Sequence, residues 1–380
     1  PFTPSSSLSN QLHSHQSWVP RGNFLSLPTG SPARDGRMGW TCNSNVFARS
    51  AVYNIDSQAF LSKWLQDLRD TQRSDGAYAS LAPVVPATFN GGYGNAGWAD
   101  AGVNVPWTLW QAYGDTKVIQ DNYASMSKYV DYLVATSTGG IRGGGDYGDW
   151  LNLDDPTPSD LIGTSFLAKG ARQLSQMAAA IGDTAGAAKY RKVYDDTSVA
   201  FAAKFVAADG TVSGDSQTAY ILAITSDLVP AAKLKAAGER FANTITRKDT
   251  HLSTGFLGVD GLLPVLSKIG RTDLAYALLQ NTDYPSWGYE IGKGATTIWE
   301  RWNSIGTDGQ FGDVGMNSFN HYAYGAVGQW MYSTLAGVSA LEPGYKTTLI
   351  APQPGNGITF ANFGYDTRYG RITSNWKQTE

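Results

Sequence analysis

An all-α fold, helical hairpins closed into a ring or barrel with a short β-strand segment at the C-terminal end, is what this sequence predicts. Three observations predict it. Long amphipathic helical patterns recur along the chain, Gly/Asp/Pro-rich loops separate them, and the periodicity changes from helical to alternating only after about Pro343.

Ser57 to Arg73 sets Phe60, Trp64, Leu65 and Leu68 at helical spacing. Asp115 to Ala135 does the same with Val118, Tyr123, Met126, Tyr129, Val130 and Leu133. The same reading predicts helices over Ser159 to Ile181, Ala185 to Phe205, Ser216 to Thr225, Ala231 to Thr246, Arg271 to Gln280 and Ser318 to Leu335. Asp115, Ser159 and Ser318 are the expected N-caps, because their side chains can accept from the unpaired N–H groups of a first turn. A chain of roughly eight to a dozen helices with no strand-rich half buries its apolar stripes best as hairpins in a ring. The segments "YKTTLIAPQP", "ITFANFGYDT" and "GRITSNWKQT" alternate polar and apolar residues between turn residues and predict antiparallel strands. We therefore expect a helical domain over 1–340 and, over 341–380, the start of a β-sandwich-type segment that either packs on the barrel or continues in a longer parent protein.

Composition excludes several classes. Among 380 residues, 29 Lys and Arg are scattered against 32 Asp and Glu for a net charge of -3, with no basic run, so no nucleic-acid partner is expected. Cys42 is the one cysteine, no Cys/His pair stands at zinc spacing, and neither a metal nor a cofactor is predicted. No apolar run approaches membrane-spanning length, so no membrane association is expected. Secretion is the expected location, with a leader not contained in this chain; a cytoplasmic location is the alternative.

The 12 Trp, 20 Tyr and 43 Gly point to carbohydrate, because flat amphipathic rings stack on the C–H faces of sugars and Gly-rich turns let backbone approach a ligand. Sugar hydrolysis needs two carboxyl groups, and Glu300 in "TTIWERW", beside Trp299, Arg301 and Trp302, is the strongest candidate for one of them. Trp64, Trp107 and Trp110 fall inside helical periodicity and are read as core. His13 and His15, near the start, are expected to face solvent, while a capping role for His251 weighs the same as substrate contact. The acidic run Asp146, Asp149, Asp154, Asp155 and Asp160 lacks calcium-loop spacing and is read as helix caps, with Asp149 near substrate. "GGIRGGGDYG" lacks the Lys-Ser/Thr of a phosphate loop.

Ordered motifs run nearly end to end: "RGNFLSLPT", "GWADAGVNVPWTLWQAYGD", "GDWL", "TAYILA", "HLSTGFLG", "LLQNTDYPSWGY", "GATTIWERW", "GMNSFNHYAYGAVGQWMY" and "GYKTTLIAPQPG". On these motifs the chain resembles the α-L-rhamnosidases of glycoside hydrolase family 78. The resemblance implies an (α/α)6 barrel flanked by β-sandwich domains, an inverting mechanism, and a rhamnose-containing carbohydrate substrate. It implies Glu300 as general base and His321 of "FNHYAYG" as a rhamnose-binding His. It also implies Arg34 and Trp40 of "RDGRMGWT" as sugar contacts, and Asn43, Trp98, Asp149, Trp150 and Trp287 as the rest of the substrate-binding set.

The first motif departs from the family. Where relatives read "DCPQRDERLGWTGDAQ", this chain reads "GSPARDGRMGWTCNSN", so Gly36 stands at the general-acid Glu, Gly30 at the leading Asp and Asn43 at the later Asp. General acid catalysis is worth ~10²–10⁴-fold, so the loss needs an account. Asp35 can serve as acid in place of Gly36; the protein can bind rhamnosides without cleaving them; or the same sugar pocket can serve a rhamnosyl-uronate lyase.

Overall fold

Helices along the chain fall into two kinds. In α2 (Thr41–Asn54), α4 (Ala101–Tyr113), α6 (Ser159–Ala180), α8 (Gln217–Thr225) and α10 (Phe256–Lys268) most residues are buried around the whole helix. By contrast α3 (Gln58–Asp70), α5 (Lys117–Ala135), α7 (Thr184–Phe205), α9 (Ala231–Thr246) and α11 (Thr272–Gln280) bury one face and expose the other. That division is what a ring of hairpins demands, with inner helices surrounded by protein and outer helices half in water. The computed structural model describes residues 1–33, 36–85, 91–355 and 357–379.

Ring closure is visible in hydrogen bonds. The last inner element runs as a 3-10 turn (Ala323–Val327), a short α-turn (Gly328–Trp330) and a π-turn (Met331–Leu335). Ser50 of α2 donates its hydroxyl to Ala326 O at 2.9 Å and accepts from the Gln329 N–H at 2.9 Å, tying this last element to the first. Outside it, α1 (Ser7–Asn23) is capped by Ser6, whose hydroxyl accepts from Ser9 N–H at 3.2 Å, and a short α12 (Trp287–Gly292) is capped by Ser286.

The expected helix over Ala231–Thr246 matches α9, and the other amphipathic segments match to within a few residues. Ser318 to Leu335 is the exception: Ser318 accepts the Glu300 N–H through its carbonyl at 2.9 Å, so this stretch begins as extended chain and turns helical only at Ala323. The expected caps hold in part. Asp115 lies one residue before the N-cap Thr116, and its Oδ1 accepts the first-turn Lys117 N–H at 2.9 Å; Pro158, not Ser159, is the N-cap of α6, and the Ser318 hydroxyl, 2.6 Å from Ser31 Oγ, accepts from Asn320 N–H at 3.3 Å outside any helix. His13 and His15 do not face solvent: His15 is buried, His13 packs edge-on against Phe2 and Tyr332, and burial pushes both imidazoles down to about 4.

The C-terminal alternation does form strands. β4 (Phe360–Thr367) and β5 (Gly370–Lys377) make an antiparallel hairpin, and the N-terminal β1 (Phe2–Pro4) joins it in the order β1-β4-β5. β2 (Val338–Ala340) pairs with β3 (Thr348–Ile350). The tail packs on the barrel: Tyr365 donates its hydroxyl to Val52 O at 3.1 Å and Trp376 its indole N–H to Leu335 O at 2.9 Å.

Candidate active site

All inner helices start at the same end of the barrel, because each is entered from a loop there and left from the other end. The entering loops bring Trp40, Trp98, Trp150, Phe256 and His321 to one cavity of about 820 Å³, with Glu300 on its wall. Such a volume suits a sugar with part of its leaving group.

Glu300 and His321 are placed by backbone pairing. Glu300 N–H donates to Ser318 O and His321 N–H donates to Ile298 O, each at 2.9 Å, so two extended segments run side by side. Both side chains are buried, at 7% and 4% exposure, in walls that keep water few. Behind that wall sits Glu290, whose carboxylate oxygen lies 3.5 Å from the Trp299 N–H. Burial pushes its carboxyl well above the usual range.

The aromatic side of the cavity is organised by Tyr147. Its ring stacks on Trp98 at 4.4 Å and stands edge-on to Trp40 at 6.3 Å and to Trp150 at 5.9 Å. Tyr147 donates its hydroxyl to Gly91 O at 2.7 Å, locking the cluster. Sequence reasoning missed Tyr147 although it lies in the quoted "GGIRGGGDYG", three residues before Trp150. Phe256, which packs on His321 at 5.1 Å, and Arg37, Met38 and Met316 were also missed.

Of the residues expected here, Trp40, Asn43, Trp98, Trp150, Glu300 and His321 line the cavity. Asn43 Nδ2 lies 2.9 Å from His321 Nε2, orienting the imidazole. Arg34 and Asp35 lie outside the described residues. Two expectations are corrected. Asp149 is buried and fully engaged, accepting from Thr218 Oγ1 at 2.6 Å and from the Gly255 and Leu257 N–H groups at 2.8 Å. It caps α10, whose own N-cap, Gly255, has no side chain, and burial pushes its carboxyl up to about 6 despite those bonds. Trp287 is also no sugar contact: it is fully buried, donates to Tyr324 O at 3.0 Å and meets Trp302 edge-on. Trp64 is core, as expected, whereas His251 faces Lys248 O at 3.0 Å and is absent from the cavity wall.

Two backbone bonds tie the departing loop. Gly30 N–H donates to Met38 O at 3.0 Å and Ser31 N–H to Gly36 O at 2.9 Å, closing a turn whose Gly36 faces the cavity. A Cβ on Gly30 would stand 2.6 Å from Asn43 Nδ2, so the amide of Asn43 fills the space that a side chain at position 30 would need. Among the described residues Glu300 is the one carboxylate lining the cavity.

Residues 1–335 match the family model of the bacterial alpha-L-rhamnosidase six-hairpin glycosidase domain, and residues 337–380 that of the bacterial alpha-L-rhamnosidase C-terminal domain. An alpha-L-rhamnosidase of Streptomyces avermitilis is 50% identical over 97% of this chain, and one of Formosa agariphila is 39% identical over 99% of it. The chain spans only 35% and 41% of the length of those two curated relatives. The solved Streptomyces avermitilis enzyme complexed with L-rhamnose superposes with a TM-score of 0.97 at 48% identity, covering 100% of this chain and 36% of that one. The Aspergillus terreus alpha-L-rhamnosidase superposes with a TM-score of 0.94 at 32% identity over 99% of this chain and 45% of its own. The ring of hairpins, the cavity at the helix N-termini and these likenesses agree: the chain belongs to the bacterial α-L-rhamnosidase six-hairpin glycosidase family.

Proposed function

We propose that this chain is the catalytic barrel of an inverting α-L-rhamnosidase acting on terminal α-L-rhamnosyl residues of glycosides or polysaccharides. The observation that carries this reading is the buried Glu300 facing an aromatic cavity with His321. In it, the Glu300 carboxylate takes a proton from water, the water oxygen attacks the anomeric carbon, and the glycosidic C–O bond breaks on the opposite face. Trp40, Trp98 and Trp150 hold the sugar ring and His321 a hydroxyl, as suits a relative solved with L-rhamnose. The leaving oxygen needs a proton, and Asp35, beside Gly36 in sequence, is our candidate donor. The barrel works within a longer chain bearing β-sandwich domains, as the short share of its relatives' length suggests, and outside the cytoplasm, where polysaccharide lies.

Release of the aglycone from an aryl α-L-rhamnoside tests the reading, with NMR of the first-formed anomer reporting inversion. Glu300→Gln is expected to lower the rate by ~10²–10⁴-fold while L-rhamnose still binds. Equal rates in wild type and variant would remove Glu300 from the chemistry. A second reading, a rhamnose-binding protein without turnover, is favoured by the single carboxylate among the described lining residues. It expects binding by calorimetry and no release at all.

A further inference from the structure

A second cavity, of about 350 Å³, lies on the barrel axis at the end where the inner helices finish. It is lined from α2, α4, α6, α8 and α10, and its lining residues Asn45 and Leu257 follow Asn43 and Phe256 of the Trp40 cavity along α2 and α10. Arg49 of α2, Lys169 of α6 and Asp260 of α10 face it from three helices. Helix C-termini attract cations, and that accounts for Arg172, which pairs with Asp227 and donates to Thr225 O at 3.3 Å. It does not account for the others: among the described residues no ion pair or hydrogen bond joins Arg49, Lys169 or Asp260 to a protein group. Arg172 shares Asp227 with Lys268, so around the space the cations Arg49, Lys169 and Arg172 outnumber Asp260.

Two further observations point to a ligand. Ser165 Oγ and Gln329 Oε1, both on the cavity lining, are buried with no hydrogen-bond partner. Buried polar atoms left unpaired cost about 1–3 kcal/mol each, so they call for O–H groups from something that enters. Trp107 offers half-buried ring surface on the same lining. Burial lowers the Lys169 ammonium, Asp260 opposes that, and Arg49 and Arg172 add to it; an anion would relieve the crowding.

We propose that this axial cavity is a second ligand site, taking a hydroxylated monocarboxylate of monosaccharide size, the class of a hexuronate. The excess of cations suits a carboxylate, and Asp260 on the same lining disfavours the second charge of a phosphate monoester, which carries about −1.5 to −2 near neutrality. Asp260, Ser165 and Gln329 accept from the sugar hydroxyls, and Arg49 with Lys169 holds the carboxylate. The volume lies at the low end of the roughly 300–1,000 Å³ typical of ligand sites, which fits one ring and not an oligosaccharide.

Calorimetry and ligand-observed NMR on the whole chain with D-galacturonate test this, with excess L-rhamnose present to occupy the Trp40 cavity. Millimolar or tighter binding is expected, unchanged by L-rhamnose, with uncharged D-galactose weaker by about tenfold or more. Arg49→Met and Lys169→Met should each weaken it by about tenfold or more. Should Lys169→Met not fold, the exposed Arg49 carries the test. Loss of the signal on adding L-rhamnose, an affinity indifferent to Arg49→Met, or no binding at tens of millimolar would overturn the proposal. Inorganic phosphate binding more tightly than galacturonate would overturn the carboxylate assignment.

Discussion

The two walls of the main cavity are built differently. The segment from Ile298 to His321 is paired along its backbone and brings Glu300 and His321 to the cavity. In the other wall Gly30 N–H bonds Met38 O and Ser31 N–H bonds Gly36 O, yet Gly30, Gly36 and Asn43 stand where the family resemblance places carboxylates. The difference teaches that main-chain bonds and the Ser31–Ser318 hydroxyl contact at 2.6 Å tie this segment without a carboxylate at any of these three positions. One half of an acid–base pair can therefore change with little structural consequence.

Restoring the acid is the sharpest way to break that comparison. Gly36→Glu should raise turnover of rhamnosides with poor leaving groups by up to ~10²-fold, and less for activated aryl rhamnosides, flattening the dependence of rate on leaving-group pKa. The new Cβ would lie 3.0 Å from Ser31 Cβ, so the turn must yield by a few tenths of an ångström, and Ser31→Gly should add to the gain. If wild type already shows the flat dependence, an acid outside Gly36 is in service. Gly30→Asp alone should lower activity, since its Cβ meets Asn43 Nδ2 at 2.6 Å and displaces the amide that orients His321.

Among the indoles, the same logic separates ligand from core. Trp287→Ala should cost about 3–5 kcal/mol of stability in denaturant melts, because it opens a buried void. Trp40→Ala should leave the melt nearly unchanged and weaken L-rhamnose binding by about 1–3 kcal/mol. A Trp287 variant that folds normally but loses L-rhamnose affinity would reverse the assignment.

Asp149 supplies a smaller, pH-resolved effect. Burial raises its folded-state carboxyl from 3.8 to about 6, so the folded chain binds a proton more readily than the unfolded one between those values. Stability from this group is present below about 4 and is lost as pH rises toward about 6, by at most ~3 kcal/mol. Asp149→Asn should be destabilised by the mismatched N–H groups, and the stability gap between the two proteins should narrow as pH rises across that window. A gap that stays constant from pH 4 to 7 would place the carboxyl elsewhere in its titration.

How much of this could be read beforehand follows from burial. Outer helices such as α5 and α9 announce themselves because water on one face forces a 3.6-residue stripe. Inner helices do not. α4 and α10 carry Pro106 and Pro264 and bury most of their residues, and α2 buries Asn45, whose amide donates to Gly97 O at 2.8 Å. Their polar residues look like loop until the partners are known.

The sequence alone determined the helical class, the terminal strands, the aromatic and acidic character of the loops and, by resemblance, Glu300, His321 and Trp40, since these rest on local period and motif. Tertiary structure decided the rest. It turned Asp149 into the cap of α10 over a separation of 106 residues, put Trp287 in the core, and made Tyr147 the centre of the aromatic wall. It also gathered Arg49, Lys169 and Asp260 from three helices around one space. Such roles depend on which distant group fills a hydrogen bond or a ring face, and no local pattern in the chain records that.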